Sequence, residues 1–299
     1  PKPDTILEEG DEAIVIAEDD STIHFFEQPV IEPTELSYSE NKVLPKIEKY
    51  LIFGWNRKLP ILVDEYSGYI HEGSVIDIIV PRKSEAMERI FQQLSIKHPK
   101  VRMTLQQVNP SMSNFPAKLY PHRYDNVIIM AGENGTTEEI DSETISMLLK
   151  FRHFFREVRN KGEEVHTQLI TEVMDSANAQ IIQQSGVKDF LVSNQFVSKM
   201  MAQISEDPDV NLVYEDLFRE DGSEIYLKPA WLYFDNLPME VSFADIMLAA
   251  QKREEVCFGL KIRSEEYEPK FGIHIIPKKD DVFTLEEGDT FIVLAEDEY

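Results

Sequence analysis

Short apolar runs alternate with amphipathic segments through the first two thirds of the chain. The run Tyr50–Phe53 stops at Gly54, apolar residues recur at helical spacing from Leu59, and a second apolar run follows at Val75–Val80. Gly54 tolerates the backbone angles of a tight turn, and Pro60 is tolerated in the first turn of a helix. Strand, turn, helix and strand within roughly thirty residues predict a βαβ unit, the nucleus of a parallel sheet.

The same alternation continues beyond this unit. Further strands are predicted at Val101–Val108, Val127–Asn134, Val165–Val173 and Asp189–Val192. Helices are predicted at Ser84–His98, Asp141–Lys161 and Ala177–Gln184, and Asp141 or Ser142 is the expected cap of the long one. Strands and helices in this order predict an α/β fold with an open, doubly wound parallel sheet of Rossmann type.

The pattern changes after residue 194. Two helices, Phe196–Ser205 and Leu212–Phe218, meet at a turn outside the predicted sheet, which favours a packing or dimerisation role. From Ser223 to Tyr299 short strands dominate, with one helix at Phe243–Lys252. This segment predicts a smaller α+β lobe at the C-terminus.

An internal repeat joins the two ends of the chain. Leu7–Asp19 reads LEEGDEAIVIAED and Leu285–Asp297 reads LEEGDTFIVLAED, so ten of thirteen positions are identical. Repetition at this level indicates that each copy closes a similar domain. The chain opens at Pro1 without an initiator Met, and residues 1–27 are therefore expected to end a preceding domain in a longer protein.

These patterns predict five successive regions, of which residues 1–27 are the first. Residues 28–46 contain Pro29, Pro33 and Pro45 without periodicity and are predicted to be a linker. Residues 47–194 are the predicted Rossmann-like lobe, residues 195–222 the helix pair, and residues 223–299 the smaller lobe.

Composition limits the classes of function. The 299 residues are 42% hydrophobic and 28% charged, which is typical of a globular domain, and no apolar run reaches the length of a membrane span. The single Cys257 excludes an internal disulfide and fits a reducing compartment. A net charge of −25 argues against nucleic-acid binding and permits divalent cations or basic partners.

The turn Gly54–Lys58 (GWNRK) lies where a dinucleotide would place its pyrophosphate. The G-x-G-x-x-G fingerprint is missing, since Gly54 is its one remaining glycine, and Val80 is not followed by an acidic residue for a ribose. A Rossmann core retained as a scaffold is therefore favoured over nucleotide binding. If an anion or cofactor binds here, Gly54, Asn56 and Arg57 are the residues expected to meet it.

Acidic residues lie at the ends of the fifth and sixth predicted strands. Glu172 and Asp175 follow the fifth strand, with Asn178 nearby, and Asp189 opens the sixth. Hard oxygen ligands grouped at strand ends suit Ca²⁺, although no EF-hand loop is present. Glu172, Asp175 and Asp189 are the predicted metal ligands, and a capping or solvated role is the alternative.

No catalytic constellation is found. The seven histidines are scattered, with no H-E-x-x-H or Cys–His pairing, and no G-x-S-x-G elbow occurs. The sequence therefore predicts a protein that is not an enzyme.

Long stretches of the chain resemble a known family. GWNRKLPILVDEY from Gly54, SNQFVSKMMAQ from Ser193 and LFREDGSEIYLKP from Leu217 resemble the cytosolic region of Castor/Pollux ion channels. More broadly the chain is similar to the RCK domain, the regulator of K⁺ conductance also found in TrkA-type subunits. The resemblance covers residues 43–299, and residues 1–27 resemble the end of a preceding RCK copy.

The resemblance implies a tandem-RCK gating ring, a dimeric or tetrameric assembly on the cytoplasmic side of a cation pore that lies elsewhere in the polypeptide. In such rings a helical crossover dimerises, and ligand binding, often of Ca²⁺ and sometimes of nucleotide, shifts subunit packing and pulls on the pore. The degraded glycine motif favours Ca²⁺ over a nucleotide. Two alternatives stay open, an NAD(P)-dependent oxidoreductase on the same fold and a soluble TrkA-like subunit of a potassium-uptake system.

Overall fold

The structure, a computed structural model, describes most of the chain. It describes residues 8–17, 36–42, 46–112, 115–175, 190–219, 222–266 and 270–296, together with positions 6, 31, 34, 44 and 268. Two compact units are formed, one by residues 45–211 and the other by residues 1–44 and 212–299. The predicted helix Ala177–Gln184 and the predicted site residue Asp189 lie outside the described residues.

The unit of residues 45–211 is built on a six-stranded sheet. Its strands are β1 (Lys49–Phe53), β2 (Val75–Val80), β3 (Arg102–Gln107), β4 (Asn126–Ile129), β5 (Gln168–Val173) and β6 (Phe190–Val192). They lie in the order β3-β2-β1-β4-β5-β6, and every neighbouring pair is parallel. The chain winds outward from β1 in one direction and then in the other, so the predicted doubly wound fold is confirmed.

Helices cover both faces of this sheet. They are α1 (Leu59–Tyr69), α2 (Glu85–Lys97), α3 (Phe115–Leu119) and α4 (Thr137–Asn160), and a further helix, α5 (Ser193–Glu206), follows β6. One core cluster joins Leu51 to Phe115 and Phe151, and another joins Ile52 to Leu59. Because successive residues of β1 point to opposite faces that are both covered, the strand is a continuous apolar run.

Among the described residues, no helix combines the length and apolar character needed to cross a membrane.

Helix α4 begins earlier than its apolar spacing suggested. The Thr136 hydroxyl accepts a hydrogen bond from the Glu139 backbone N–H at 3.3 Å, and the Glu139 carboxylate accepts one from the Thr136 N–H at 2.8 Å. This capping box places the first turn before Asp141, so the prediction that Asp141 or Ser142 caps the helix is wrong. The T-x-x-E spacing that produces the box was present in the sequence.

The described residues of the other unit form two antiparallel sheets and one α-helix that lies wholly within the unit. Strands β7 (Glu224–Pro229), β9 (Val256–Lys261), β10 (Ile273–Ile275) and β12 (Thr290–Ala295) lie in the order β10-β9-β12-β7, and β8 (Met239–Ser242) pairs with β11 (Val282–Leu285). Helix α7 (Phe243–Gln251) and the aromatic residues Tyr233, Phe234 and Phe291 fill the core. Helix α6 (Val210–Leu217) crosses the boundary between the units.

The two copies of the repeat form the same turn in different surroundings. Asp289 in the second copy and Asp11 in the first each accept a hydrogen bond from the backbone N–H three residues earlier, of Glu286 and Glu8, at 2.8 Å in both cases. The second copy continues into β12, which is paired on both sides. The described part of the first copy, residues 8–17, does not form a strand, and Ile14 is 79% exposed. The shared turn is therefore local, whereas the strand depends on its neighbours.

Candidate functional site

The carboxyl ends of β1, β4 and β5 meet at the point where the sheet changes winding direction. In open α/β sheets ligands bind in the crevice at this edge. The turn Gly54–Lys58 follows β1, and Glu172 lies near the end of β5. Contacts between these segments bring Asn56 and Glu172 together, although the sequence placed them in separate candidate sites.

Gly54 permits a close backbone approach. Its φ is +107°, and its N–H donates a hydrogen bond to the Ile79 carbonyl oxygen at 2.9 Å. A Cβ atom at this position would lie 2.9 Å from the carbonyl oxygen of Met130. A side chain is excluded both by the left-handed conformation and by the chain after β4.

Asn56 is buried and links three segments. Its amide nitrogen donates to the carbonyl oxygen of Ala131 at 3.0 Å and to a Glu172 carboxylate oxygen at 3.1 Å. Its amide oxygen accepts from the backbone N–H of Lys58 at 2.9 Å. Asn56 therefore fixes the turn before α1 against the loop after β4 and against β5.

The Glu172 carboxylate is held by three groups of the kind that bind oxyanions. One carboxylate oxygen accepts from Asn56 and from the backbone N–H of Ala131 at 3.1 Å, and the other pairs with the ammonium group of Lys58. A cation, an amide and a backbone N–H are the groups that proteins use to hold phosphate. Here the chain's own carboxylate satisfies them, and only 12% of its side chain is exposed.

A second carboxylate covers the other side of the turn. Glu133 accepts a hydrogen bond from the backbone N–H of Arg57 at 2.7 Å, and its nearer oxygen is 3.6 Å from Nε of the guanidinium group. The backbone donors of Arg57 and Lys58 are thus both engaged by side chains, while the guanidinium group itself is exposed to solvent. This geometry favours a turn that stabilises the fold over one held open for a dinucleotide.

Asp141 fixes the loop after β5. Its buried carboxylate accepts hydrogen bonds from the backbone N–H groups of Met174 at 2.7 Å and Asp175 at 3.0 Å. Nowhere in the described part of the chain do three or more His, Cys, Asp or Glu side chains converge in a way that could hold a metal ion. Because Glu172 is already engaged and Asp189 lies outside the described residues, Ca²⁺ binding stays a prediction.

Glu133 and Asp141 were not predicted as crevice residues, and Lys58 belonged to the predicted turn but was not among the residues expected to meet a ligand. Glu133 follows β4 at the same sheet edge as Glu172, so its position at a strand end was a usable signal. The pairing of Lys58 with Glu172 and of Asp141 with the chain after β5 gave no such signal, because these partners are distant in sequence and meet only through the strand order β1-β4-β5 and the packing of α4 against β5.

The chain is similar to plant ion channels. It is 26% identical to the probable ion channel SYM8 of Pisum sativum and to the ion channel CASTOR of Lotus japonicus, each over 89% of its length. It is 25% identical over 99% of its length to the probable ion channel POLLUX of Oryza sativa subsp. japonica. These alignments cover 33%, 34% and 33% of the respective relatives, so the chain spans about a third of their length.

No protein-family model matches the chain. The similarity to these channels nevertheless extends over nearly all of it, and the predicted resemblance to Castor/Pollux ion channels is confirmed.

Proposed function

We propose that this chain is part of the regulatory region of a cation channel of the Castor/Pollux type. It assembles with further copies of itself on the cytoplasmic side of the membrane and transmits ligand-dependent changes of shape to the pore. The similarity to proteins named ion channels supports this role. In those relatives, two thirds of the polypeptide lies outside the matched region and provides room for a membrane pore.

The observation that carries self-assembly is the exposure of α5 and α6. None of their described side chains is buried, although both helices have an apolar side. The exposed fractions are 51% for Phe196, 57% for Val197, 65% for Met201 and 63% for Leu212. Exposed apolar residues on helices are typical of interaction sites, and the same helices of a second copy would cover them in a two-fold arrangement.

The crevice supports a regulatory role over a dehydrogenase role. The turn that would meet a pyrophosphate has its backbone donors bound to Asn56 and Glu133, and Glu172 binds Lys58. Any dinucleotide would have to displace two of the protein's own carboxylates. The sheet is therefore proposed to serve as a rigid body that moves within the assembly.

Ca²⁺ is the proposed activating ligand because the chain carries a net charge of −25. Binding shifts an equilibrium between two assemblies only if Ca²⁺ has a higher affinity for one of them. The proposal therefore requires that the carboxylates which bind Ca²⁺ come together more closely in one assembly than in the other.

Sedimentation of the purified chain tests self-assembly. The wild-type chain is expected to associate with rising concentration, and the double variant Phe196→Asp, Leu212→Asp to remain monomeric because it places charge on both helices. Ile96→Asp is the matched control, since Ile96 is an 80% exposed apolar residue on α2. A wild-type chain that is monomeric at every concentration, with and without Ca²⁺, would refute the assembly.

Thermal unfolding with ligands tests the regulatory role. A ligand that binds the folded state alone raises the melting temperature. We expect millimolar Ca²⁺ to raise it and NAD to leave it unchanged; a rise with NAD alone would favour the oxidoreductase. In current recordings of the full-length channel, the helix double variant should abolish the Ca²⁺ response. Channels that carry Ile96→Asp should respond to Ca²⁺ as the wild type does.

A further inference from the structure

The chain ahead of β1 is fastened along α7 at both ends of that helix. The Thr34 backbone N–H donates to the Asp245 carboxylate at 2.6 Å, in the first turn of α7. Just beyond the last turn, the Lys252 ammonium group lies 3.6 Å from the centre of the Tyr38 ring, and Arg253 donates to the Asn41 carbonyl oxygen at 3.2 Å. Residue 34 and residues 36–41 are hereafter the strap.

The middle of the strap is seated on the core of the same unit. Leu36 and Tyr38 pack against the core cluster that contains Phe234, and the Tyr38 and Phe234 ring centres are 6.0 Å apart. The buried Ser39 donates its N–H to the Tyr233 carbonyl oxygen at 2.9 Å. The segment predicted to be a linker thus contains a docked portion.

Asp245 couples the strap to the start of α7. One of its carboxylate oxygens accepts the Thr34 N–H, and the other accepts from the backbone N–H and the hydroxyl of Ser242 at 3.0 and 2.6 Å. The Asp245 N–H in turn donates to the Ser242 hydroxyl at 3.2 Å, which completes a capping box. A single buried carboxylate therefore holds both the helix start and the incoming chain.

Docking leaves two buried polar atoms without a hydrogen bond among the described residues. They are the hydroxyl of Tyr38 and Nε of Arg253, which is 3.6 Å from the nearest Glu255 carboxylate oxygen. A buried polar group without a partner opposes the state in which it is buried, and exposure to water removes that penalty. The strap thus combines favourable contacts at its ends with two buried atoms that lack a hydrogen bond, and the Tyr38 hydroxyl in particular favours release.

We propose that the strap docks reversibly on α7 and so attaches the chain that precedes β1 to this helix. When docked, it is part of the unit of residues 1–44 and 212–299, and Lys46 already pairs with Asp125 in the other unit. Release would detach residue 34 and residues 36–41 from α7 and leave the pairing of Lys46 with Asp125 in place. Docking of the strap therefore determines how strongly a movement of the segment that precedes it is transmitted to α7.

Hydrogen exchange of individual amides in the whole chain tests this inference without any channel assay. The Ser39 amide, which is bonded to Tyr233, should be protected but exchange at least about tenfold faster than the Val293 amide in β12, because release does not require unfolding of the sheet. Its exchange should rise several-fold in Lys252→Ala, with no change at Val293. Lys270→Ala, at an exposed lysine of the same unit, is the control.

Tyr38→Phe keeps the ring and should have the opposite effect on Ser39 exchange to Lys252→Ala. Removal of the unpaired hydroxyl should slow Ser39 exchange, since the docked state loses a penalty. Faster exchange in Tyr38→Phe would overturn the inference. An unprotected Ser39 amide would also overturn it, because the strap would then not be docked. So would equal exchange of the Ser39 and Val293 amides in every variant, because the strap would then unfold only together with the core.

Discussion

The side-chain amide of Asn56 donates a hydrogen bond to a carboxylate oxygen of Glu172, 3.1 Å away, and thereby joins the turn after β1 to β5 across the intervening strand β4. The same oxygen also accepts the backbone N–H of Ala131, which follows β4. Three neighbouring strands are thus held at their carboxyl ends by one carboxylate. At this edge of the sheet, where ligands bind in other open α/β proteins, these donors are bonded to a carboxylate of the same chain.

Glu172→Ala should destabilise the fold. The substitution leaves the Ala131 N–H and part of the Asn56 amide without an acceptor, and a lost acceptor of this kind costs about 1–3 kcal/mol. We expect the free energy of unfolding, measured by urea titration, to fall by about that amount. Glu133→Ala is the control because its partner Arg57 is exposed, and it should cost no more than about 1 kcal/mol. Equal effects of the two substitutions would contradict the central role assigned to Glu172.

Gly54→Ala should also be destabilising, for a steric reason. A positive φ costs a residue with a Cβ atom about 1–2 kcal/mol, and the contact with the Met130 carbonyl oxygen adds to this cost. We expect a loss of more than about 2 kcal/mol in the same titration. Gly132→Ala, at a neighbouring glycine with open space around it and no positive φ, should change stability by less than about 0.5 kcal/mol. A tolerated Gly54→Ala would show that β1 and the chain after β4 can separate.

Thr136→Ala and Ser142→Ala distinguish the observed start of α4 from the predicted one. Loss of a capping hydroxyl costs about 0.5–2 kcal/mol, so Thr136→Ala should lower the free energy of unfolding by that amount. Ser142 lies on the exposed surface of the helix, where Ala is the better helix former, and Ser142→Ala should be neutral or slightly stabilising. The reverse order would place the helix start at residue 142.

The Asp64 contact between α1 and α2 should make stability depend on acid pH. Its carboxylate is 2.6 Å from Nε2 of His98 and 2.9 Å from the Lys97 ammonium. Burial acts to raise the Asp64 pKa, but the hydrogen bonds and charges of His98 and Lys97 outweigh burial and hold the pKa below its ordinary value of 3.8. Because the folded-state pKa is depressed, the carboxylate stabilises the fold above pH 3.8, and this contribution is lost as the pH falls through the folded-state value.

Asp64→Asn tests this dependence. The variant should be less stable than the wild type at neutral pH, and the difference in the free energy of unfolding should shrink as the pH falls through the lowered folded-state pKa of Asp64. Asp280→Asn, at an exposed loop position, should match the wild type at both pH values. A difference in the free energy of unfolding that stays constant with pH would show that the ionised Asp64 contact is not its cause.

The lengths and types of most elements followed from local pattern. β1 and β2 were recognised because strands buried on both faces must be apolar throughout, and α1 because its apolar residues share one side. The helix pair α5 and α6 was also recognised from its spacing. The start of α4 was missed because its apolar stripe begins one turn after the capping box formed by Thr136 and Glu139.

The candidate site was only partly accessible from the sequence. Gly54, Asn56 and Glu172 were singled out because loops at the carboxyl ends of parallel strands meet at one edge. Their roles were not, since whether Glu172 binds a metal or Lys58 depends on which side chains arrive beside it. Asp141 was taken for a helix cap, and only its position against the chain after β5 made it the acceptor for Met174 and Asp175.

The sequence by itself determined the α/β class, the winding order and the repeated turn, because these depend on the period of apolar residues and on bonds between residues three positions apart. Tertiary structure alone decided that donors at the crevice edge are bonded to Glu172 and Glu133 and that the strap lies along α7. Both depend on groups more than a hundred residues apart, such as Asn56 and Glu172 or Thr34 and Asp245, and their meeting has no local signature.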